Sequence, residues 1–314
     1  MENQLFQWGF VIRGLIPSEV KLKRKVWLKR GEILLDKKGG KLHAYLLGDE
    51  SDAGKNEEKL APYLWMSCLV SNKSPDLEGG GGVSIGAKEE LGTKPVGSMS
   101  IGIGLPDEAA AEIEHHAHKF LGFIGKLHDK YIDVVSENRF IEIALDYFYE
   151  AKKKFVHSDE GFISAMISME ALYNEGPSDI KYKLSHRAAF LLSLCEIEPI
   201  ESFENLKDLY NKRSKLVHGD VSLTRDPDRH LISNYTRKSI IVFLILLRSE
   251  VRRKIGKNKR KINILKEIDY AMLDEDKRKS LKREISKGLK DFKLTVPRIF
   301  EGKGENGDYR IIPW

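Results

Sequence analysis

From Glu137 to Ile255 apolar residues recur every three to four positions, and the interruptions are turn signals. Strands do not accommodate that period, so the middle of this 314-residue chain is expected to fold as helices packed on helices. Five helices are predicted. The first covers about Glu137 to Phe155, with Phe140, Ile141, Ala144, Leu145, Phe148 and Ala151 on one face. The second starts after Ser158 and Asp159 and runs to about Asn174, where "NEGPSD" breaks it. The others are about Ile180 to Cys195, Phe203 to His218 with Gly219 as the stop, and Arg229 to Ile255. Connections of this length predict an antiparallel bundle over 137–255. The run "IIVFLILL", Ile240 to Leu247, is far short of the roughly 20 residues that span a bilayer and reads as a buried helix segment.

The flanks read differently. Between Met1 and Leu105 the segments "WGFVIRGL", "EILLD", "LHAYLLG", "YLWMSCLV" and "GSMSIGIGL" are short apolar or alternating runs between charged and Gly/Pro punctuation, which predicts a β-rich N-terminal domain over 1–105. Gly79 to Gly82 are expected in a loop. The nearest phosphate-binding match, "GAKEELGTK", has Gly-Thr-Lys where a P-loop needs Gly-Lys-Ser/Thr. Pro106, Asp107 and Glu108 open a connecting helix, 106–136, that carries His115, His116, His118 and His128. Glu112/His116 and Glu114/His118 have i,i+4 spacing, but no HExxH pattern occurs, so these histidines are expected to face solvent or a partner and no metal is expected. Residues 256–314 read as a basic, partly helical C-terminal extension. The expected fold class is therefore α+β, mainly α.

Charge and cysteine usage narrow the function classes. The chain carries +6, but Arg252 to Trp314 holds 19 Lys and Arg against 10 Asp and Glu, so this fifth is +9 and the remainder −3. Arg252, Arg253, Lys254, Lys257, Lys259, Arg260 and Lys261 put seven cations into ten residues, a candidate RNA-binding run. Aromatics are sparse there, Tyr270 being the first, so base stacking is not expected from it. Cys68 and Cys195 are too few for a disulfide framework or a structural zinc site. With no secretory leader pattern at "MENQLFQWGFVIRG", a cytoplasmic protein without a membrane span or cofactor is expected.

Two polar residues fall on apolar stripes. In the fourth helix Leu206, Leu209, Tyr210, Arg213, Leu216 and Val217 follow helical spacing, so Arg213 occupies a core-facing position. In the second helix Ile163, Met166, Ile167, Glu170 and Tyr173 do the same, and Glu170 faces inward. A guanidinium keeps its charge, so an inward arginine needs a carboxylate or a bound anion; Glu170 is the expected partner, with Arg187 of the third helix competing for it. His218 lies five steps on, about 140° around an ideal helix from Arg213. Tyr210, Ser214 and His218 form a separate polar stripe, the expected lip of a cleft. Histidine suits proton transfer near neutrality and arginine suits gripping a phosphate through paired donors, which together are parts for phosphodiester cleavage without a metal.

The Arg-x4-His string in "LYNKRSKLVHG", preceded by "ISMEALYNEG" and "IKYKLSHRAAFLL", resembles the Apea-like branch of the HEPN superfamily over about Glu137 to Ile255. The ordered set Glu170, Arg187, Tyr210, Arg213, Ser214, His218 and Gly219 carries the likeness. Ser214 stands where many members have Asn or another polar residue, as the Apea-like pattern accepts, and Asp220 where one toxin branch has a regulated tyrosine. The resemblance implies a metal-independent endoribonuclease, of prokaryotic antiphage-defence or toxin type, whose helical bundle forms a homodimer or higher homo-oligomer. Two Arg-x4-His motifs then share one composite cleft. It implies catalytic roles for Arg213 (stabilising phosphorane charge) and His218 (acid/base chemistry as the 2′-hydroxyl attacks), with Glu170, Ser214, Tyr210 and Arg187 in support. It leaves the N-terminal region to sense an activating ligand or phage component. The alternative is a non-catalytic HEPN module that binds RNA, a nucleotide or a protein partner, with Glu170 and Arg213 serving only the bundle.

Overall fold

The computed structural model describes residues 6–13, 26–28, 33–38, 41–48, 61–66, 68–69, 76–84, 107–154, 159–219 and 226–292, with side chains at 61–66, 68–69, 122–152, 159–219 and 227–292. The chain divides into two compact units, Met1–Ser67 with Ser71–Asp129 and Leu294–Trp314, and Cys68–Val70 with Lys130–Lys293.

The expected fold class is corrected here. Among the residues whose side chains are described, 88% are helical and none lies in a strand, so the fold established there is a helical bundle, and a β-rich N-terminal domain over 1–105 is not. The segment "YLWMSCLV" shows the physical reason. Expected as a strand, it is helical at 61–66 and 68–69, with Tyr63, Leu64, Trp65, Met66, Cys68 and Leu69 all buried. A segment buried on every side has no polar face, and a short apolar run then carries no period that separates helix from strand. Five backbone segments, Phe6–Arg13 (β1), Val26–Leu28 (β2), Ile33–Lys38 (β3), Lys41–Gly48 (β4) and Asp76–Ser84 (β5), pair in the order β2-β3-β4-β1-β5. Gly79 to Gly82, expected in a loop, fall within β5. "GSMSIGIGL" and "GAKEELGTK" lie outside the described residues.

The helices are Asp107–Ser136 (α1), Arg139–Lys154 (α2), Asp159–Tyr173 (α3), Ile180–Ser193 (α4), Pro199–Val217 (α5), Asp226–Arg252 (α6), Lys257–Leu273 (α7) and Glu275–Leu289 (α8), followed by a 3-10 turn at Lys290–Phe292. Asn138 separates α1 from α2: its side chain donates to Val134 O at 2.7 Å while its carbonyl accepts from Ile141 N at 3.0 Å. Helix α5 starts four residues earlier than expected, because Pro199 occupies a first-turn position that needs no N–H and the Glu198 carboxylate accepts from Glu201 N. It ends as expected at Gly219, whose φ of 89° is a left-handed conformation that glycine adopts without a Cβ clash.

Helix α6 touches α2, α3, α4, α5, α7 and α8, and so forms the centre of the bundle. Ile240 to Leu247 are all buried in it, which is why eight consecutive apolar residues are tolerated. Each such side chain contributes about 1.5–3 kcal/mol by leaving water. Buried hydroxyls are satisfied within the same core: Ser168 Oγ donates to Ala144 O at 2.6 Å, and Tyr173 OH donates to Ser239 Oγ at 2.9 Å.

Residues 257–292, expected as the start of a basic, partly helical extension, are helical and lie in the bundle's own unit. Ile264, Leu265, Ile268, Ala271, Leu281, Ile285 and Phe292 are buried. Their helical spacing was diluted in the sequence by exposed Lys, Arg, Glu and Asp on the outer faces of α7 and α8.

Candidate functional site

Helices α3 and α5 bring the two polar stripe residues together. Arg213 Nη2 stands 3.5 Å from Glu170 Oε1, and the side chains are 24% and 19% exposed. Both therefore sit at the edge of the core and not inside it. The buried face of α3 runs through Phe162, Ala165, Met166, Met169 and Tyr173, leaving Ile163, Ile167 and Glu170 along its border. On α5, Leu206 and Leu209 are buried, Leu216 is half-buried and Val217, expected inward, is 53% exposed.

The Glu170–Arg213 contact is an electrostatic one without hydrogen-bond geometry. Glu170 Oε1 and Arg213 Nε are both buried with no hydrogen-bond partner among the described residues. Arg213 also lies 5.9 Å from the centre of the Tyr210 ring. Burial, and then the Glu170 charge, push the Tyr210 hydroxyl pKa up, so Tyr210 stays a neutral donor beside the carboxylate. A guanidinium held in place with donors open is costly by itself and is relieved by an anion with paired acceptors.

His218 is the cap of α5, with φ −86° and ψ 5°, and its N–H bonds to Ser214 O at 3.2 Å and Lys215 O at 3.1 Å. Its side chain is exposed. Arg213 and His218 share no described contact, in keeping with their expected angular separation. The expected polar lip is only partly formed. Ser214 lines a cleft of about 830 Å³ with Asn211, Lys212, Lys215 and Asp228, whereas Tyr210 turns to Glu170 and His218 is not among the lining residues. Lys212 spans this cleft's wall by pairing with Asp208 and Asp228, each at 2.8 Å.

Arg187 is not brought to Glu170. It is 6% exposed and bonds Asp269 of α7 through Nε at 2.7 Å and Nη2 at 2.6 Å, Glu175 at 2.8 Å and Tyr173 O at 3.1 Å. No sequence signal marks Asp269, 82 residues away.

The seven-cation run divides in two. Arg253 is held by Glu250, Glu267 and Glu284 at 2.8–3.0 Å. Arg260 is buried, donating to Glu137 at 2.8 Å and Ile255 O at 2.9 Å. Lys261 donates to Asn174 O, and burial pushes its ammonium pKa down to about 8. Arg252, Lys254, Lys257 and Lys259 are exposed, with Lys257 Nζ 3.4 Å from Glu137. Lys254 also terminates α6 at φ 59°, with Ile255 N bonding Glu250 O at 3.1 Å and Lys254 N bonding Val251 O at 3.0 Å, a Schellman closure.

His128, expected to face solvent or a partner, is 4% exposed, stacked on Tyr63 with centroids 3.9 Å apart and Nδ1 3.0 Å from Asp129. The side chains of His115, His116 and His118 lie outside the described residues, as does Asp220. Among the described residues no three His, Cys, Asp or Glu side chains are grouped to hold a metal. Cys68 and Cys195 are free thiols, and burial pushes Cys195 up to about 11. No described helix is long and apolar enough to cross a membrane. No family model, curated protein or solved structure matches the chain.

Proposed function

We propose that the bundle is an Apea-like HEPN domain that acts, as a homodimer, as a metal-independent endoribonuclease. The observation that carries this reading is Arg213: fixed at the bundle edge by Glu170, with Nε lacking a hydrogen-bond partner, on the helix whose exposed terminus is His218. One protomer leaves these two groups apart. A second copy related by a twofold axis supplies its His218 to the first copy's Arg213, so that each phosphate meets a guanidinium and an imidazole. The RNA 2′-hydroxyl attacks the adjacent phosphorus, the 2′-O–P bond forms and the P–O5′ bond breaks. Imidazole takes the 2′-hydroxyl proton and imidazolium returns one to the leaving 5′-oxygen, while Arg213 stabilises the added phosphorane charge. Exposed Arg252, Lys254, Lys257 and Lys259 contribute long-range attraction to the RNA.

A non-catalytic reading draws on the same Glu170 contact, which engages Arg213 as a brace between α3 and α5. The two part on the products. Under the nuclease reading RNA is cut in EDTA to 2′,3′-cyclic phosphate and 5′-hydroxyl ends, and a single 2′-deoxynucleotide at the cut position blocks that cut. Cleavage that survives the 2′-deoxy substitution, or none by any preparation of folded dimer, refutes it.

A further inference from the structure

Away from Arg213, an aromatic group lies across the start of α4 and the first half of α5. Tyr182, 58% exposed, stacks on exposed His186 one turn further on, with ring centres 5.4 Å apart and planes 12° from parallel. Phe203 of α5, half-buried, meets both rings edge-on at 6.1 Å, with interplanar angles of 88° and 80°. Its edge fixes their tilt, so a flat aromatic face is held open to water instead of folding onto the core. On the α4 side the surroundings favour an anion, while α5 carries exposed Glu201 and Glu204. Between Ile180 and Ser193 there is no Asp or Glu, and Lys181 and Lys183 flank Tyr182. Lys207 Nζ, paired with Glu204 at 3.1 Å, lies 4.9 Å from the Phe203 ring centre. Lys181 Nζ donates to Asn211 Oδ1 at 3.3 Å, and Asn211 lines the same cleft as Ser214 and Lys215. Platform and cleft thus lie along the same helix, and the eleven steps from Phe203 to Ser214 span about 16 Å.

We infer that Tyr182, His186 and Phe203 form a stacking platform for unpaired bases of single-stranded RNA, whose strand continues along α5 toward Arg213. The direction of the strand rests on the ribonuclease reading; the stacking does not. Every base has a π-face, so the platform holds RNA with little sequence preference, and Lys181 and Lys183 beside it meet the phosphates. A duplex hides its base faces and does not qualify.

The test uses the full-length chain and a 2′-O-methyl single strand of about 12 nucleotides, which cannot be cut, followed by fluorescence anisotropy. Tyr182→Ala is expected to weaken binding by about fivefold or more, Tyr182→Trp to retain it, and an abasic strand of equal length to bind the wild type no better than the variant. Because Tyr182 is exposed, both variants are expected to melt with the wild type. Binding by Tyr182→Ala within about twofold of the wild type, or equal binding of the abasic strand, overturns the platform. So does a Tyr182→Ala chain that binds normally but sediments as a monomer, since the face then joins two copies. Base-dependent binding without any cleavage leaves the platform standing and refutes the ribonuclease; 2′-hydroxyl-dependent cleavage with binding indifferent to Tyr182 does the reverse.

Discussion

Replacing Arg187 by Met tests whether residues 257–273 belong to the bundle or merely follow it. The Arg187 side chain is 7% exposed and fastens α4 to α7 through Asp269, with Glu175 and the Tyr173 carbonyl completing its donors. Met restores much of the volume and none of the donors. Removing one partner of a buried ion pair costs about 3–5 kcal/mol. Here Asp269 and Glu175 keep 41% and 34% exposure, so water reclaims them and the loss falls toward the lower end. About 3 kcal/mol is expected, much of it from the carbonyl left unpaired. In a urea titration the midpoint moves at unchanged slope, and the melting temperature falls by about 6–12 °C. Arg187→Lys recovers only part of this, because one ammonium cannot reproduce the fork on Asp269. A loss below about 1 kcal/mol refutes the fastening role. Folded Arg187→Met should still cut RNA, since its donors do not reach Glu170.

Two further substitutions probe the same packing. A Cβ on Gly288 would lie 2.3–2.9 Å from three side-chain atoms of Ile245, so Gly288→Ala is expected to destabilise by about 1 kcal/mol, although Gly→Ala within a helix ordinarily stabilises by about as much; a stabilised variant in thermal unfolding refutes the close approach of α8 to α6. Lys261 has its pKa lowered from 10.5 to about 8, chiefly by burial. Between those values the unfolded chain holds the proton and the folded chain has lost it, so wild-type stability relative to Lys261→Met should rise with pH by up to about 3 kcal/mol, and a flat difference in urea midpoints across that window refutes the burial.

The helices of the bundle were legible because each has a periodic apolar face and chemical punctuation: Gly219 at the end of α5, "NEGPSD" between α3 and α4. The core run of α6 was legible from length alone. The N-terminal reading failed where burial on all sides erased the period, as at 63–66 and 68–69. The pairing of the terminal cations was not legible for a different reason. Charge is visible in a sequence, but its neutralisation by Glu250, Glu267, Glu284 and Glu137 depends on tertiary contact. The Glu170–Arg213 meeting was predictable from two stripes that each carried one misfit residue. The reach of Arg187 to Asp269 was not, because nothing local to either residue names the other. Tyr182 and His186 had the i,i+4 spacing of a helical pair, yet their edge-on contact with Phe203 comes from the next helix.

A composite site makes a demand that a single-chain site does not. Arg213→Ala and His218→Ala chains, each inactive as a homodimer, are mixed under conditions where differently tagged copies are shown to exchange, and RNA cleavage in EDTA is followed. If Arg213 of one copy works with His218 of its neighbour, the mixture cuts RNA well above either parent, because the mixed dimer rebuilds one guanidinium–imidazole pair. A mixture that exchanges subunits and stays at the parents' level contradicts the account.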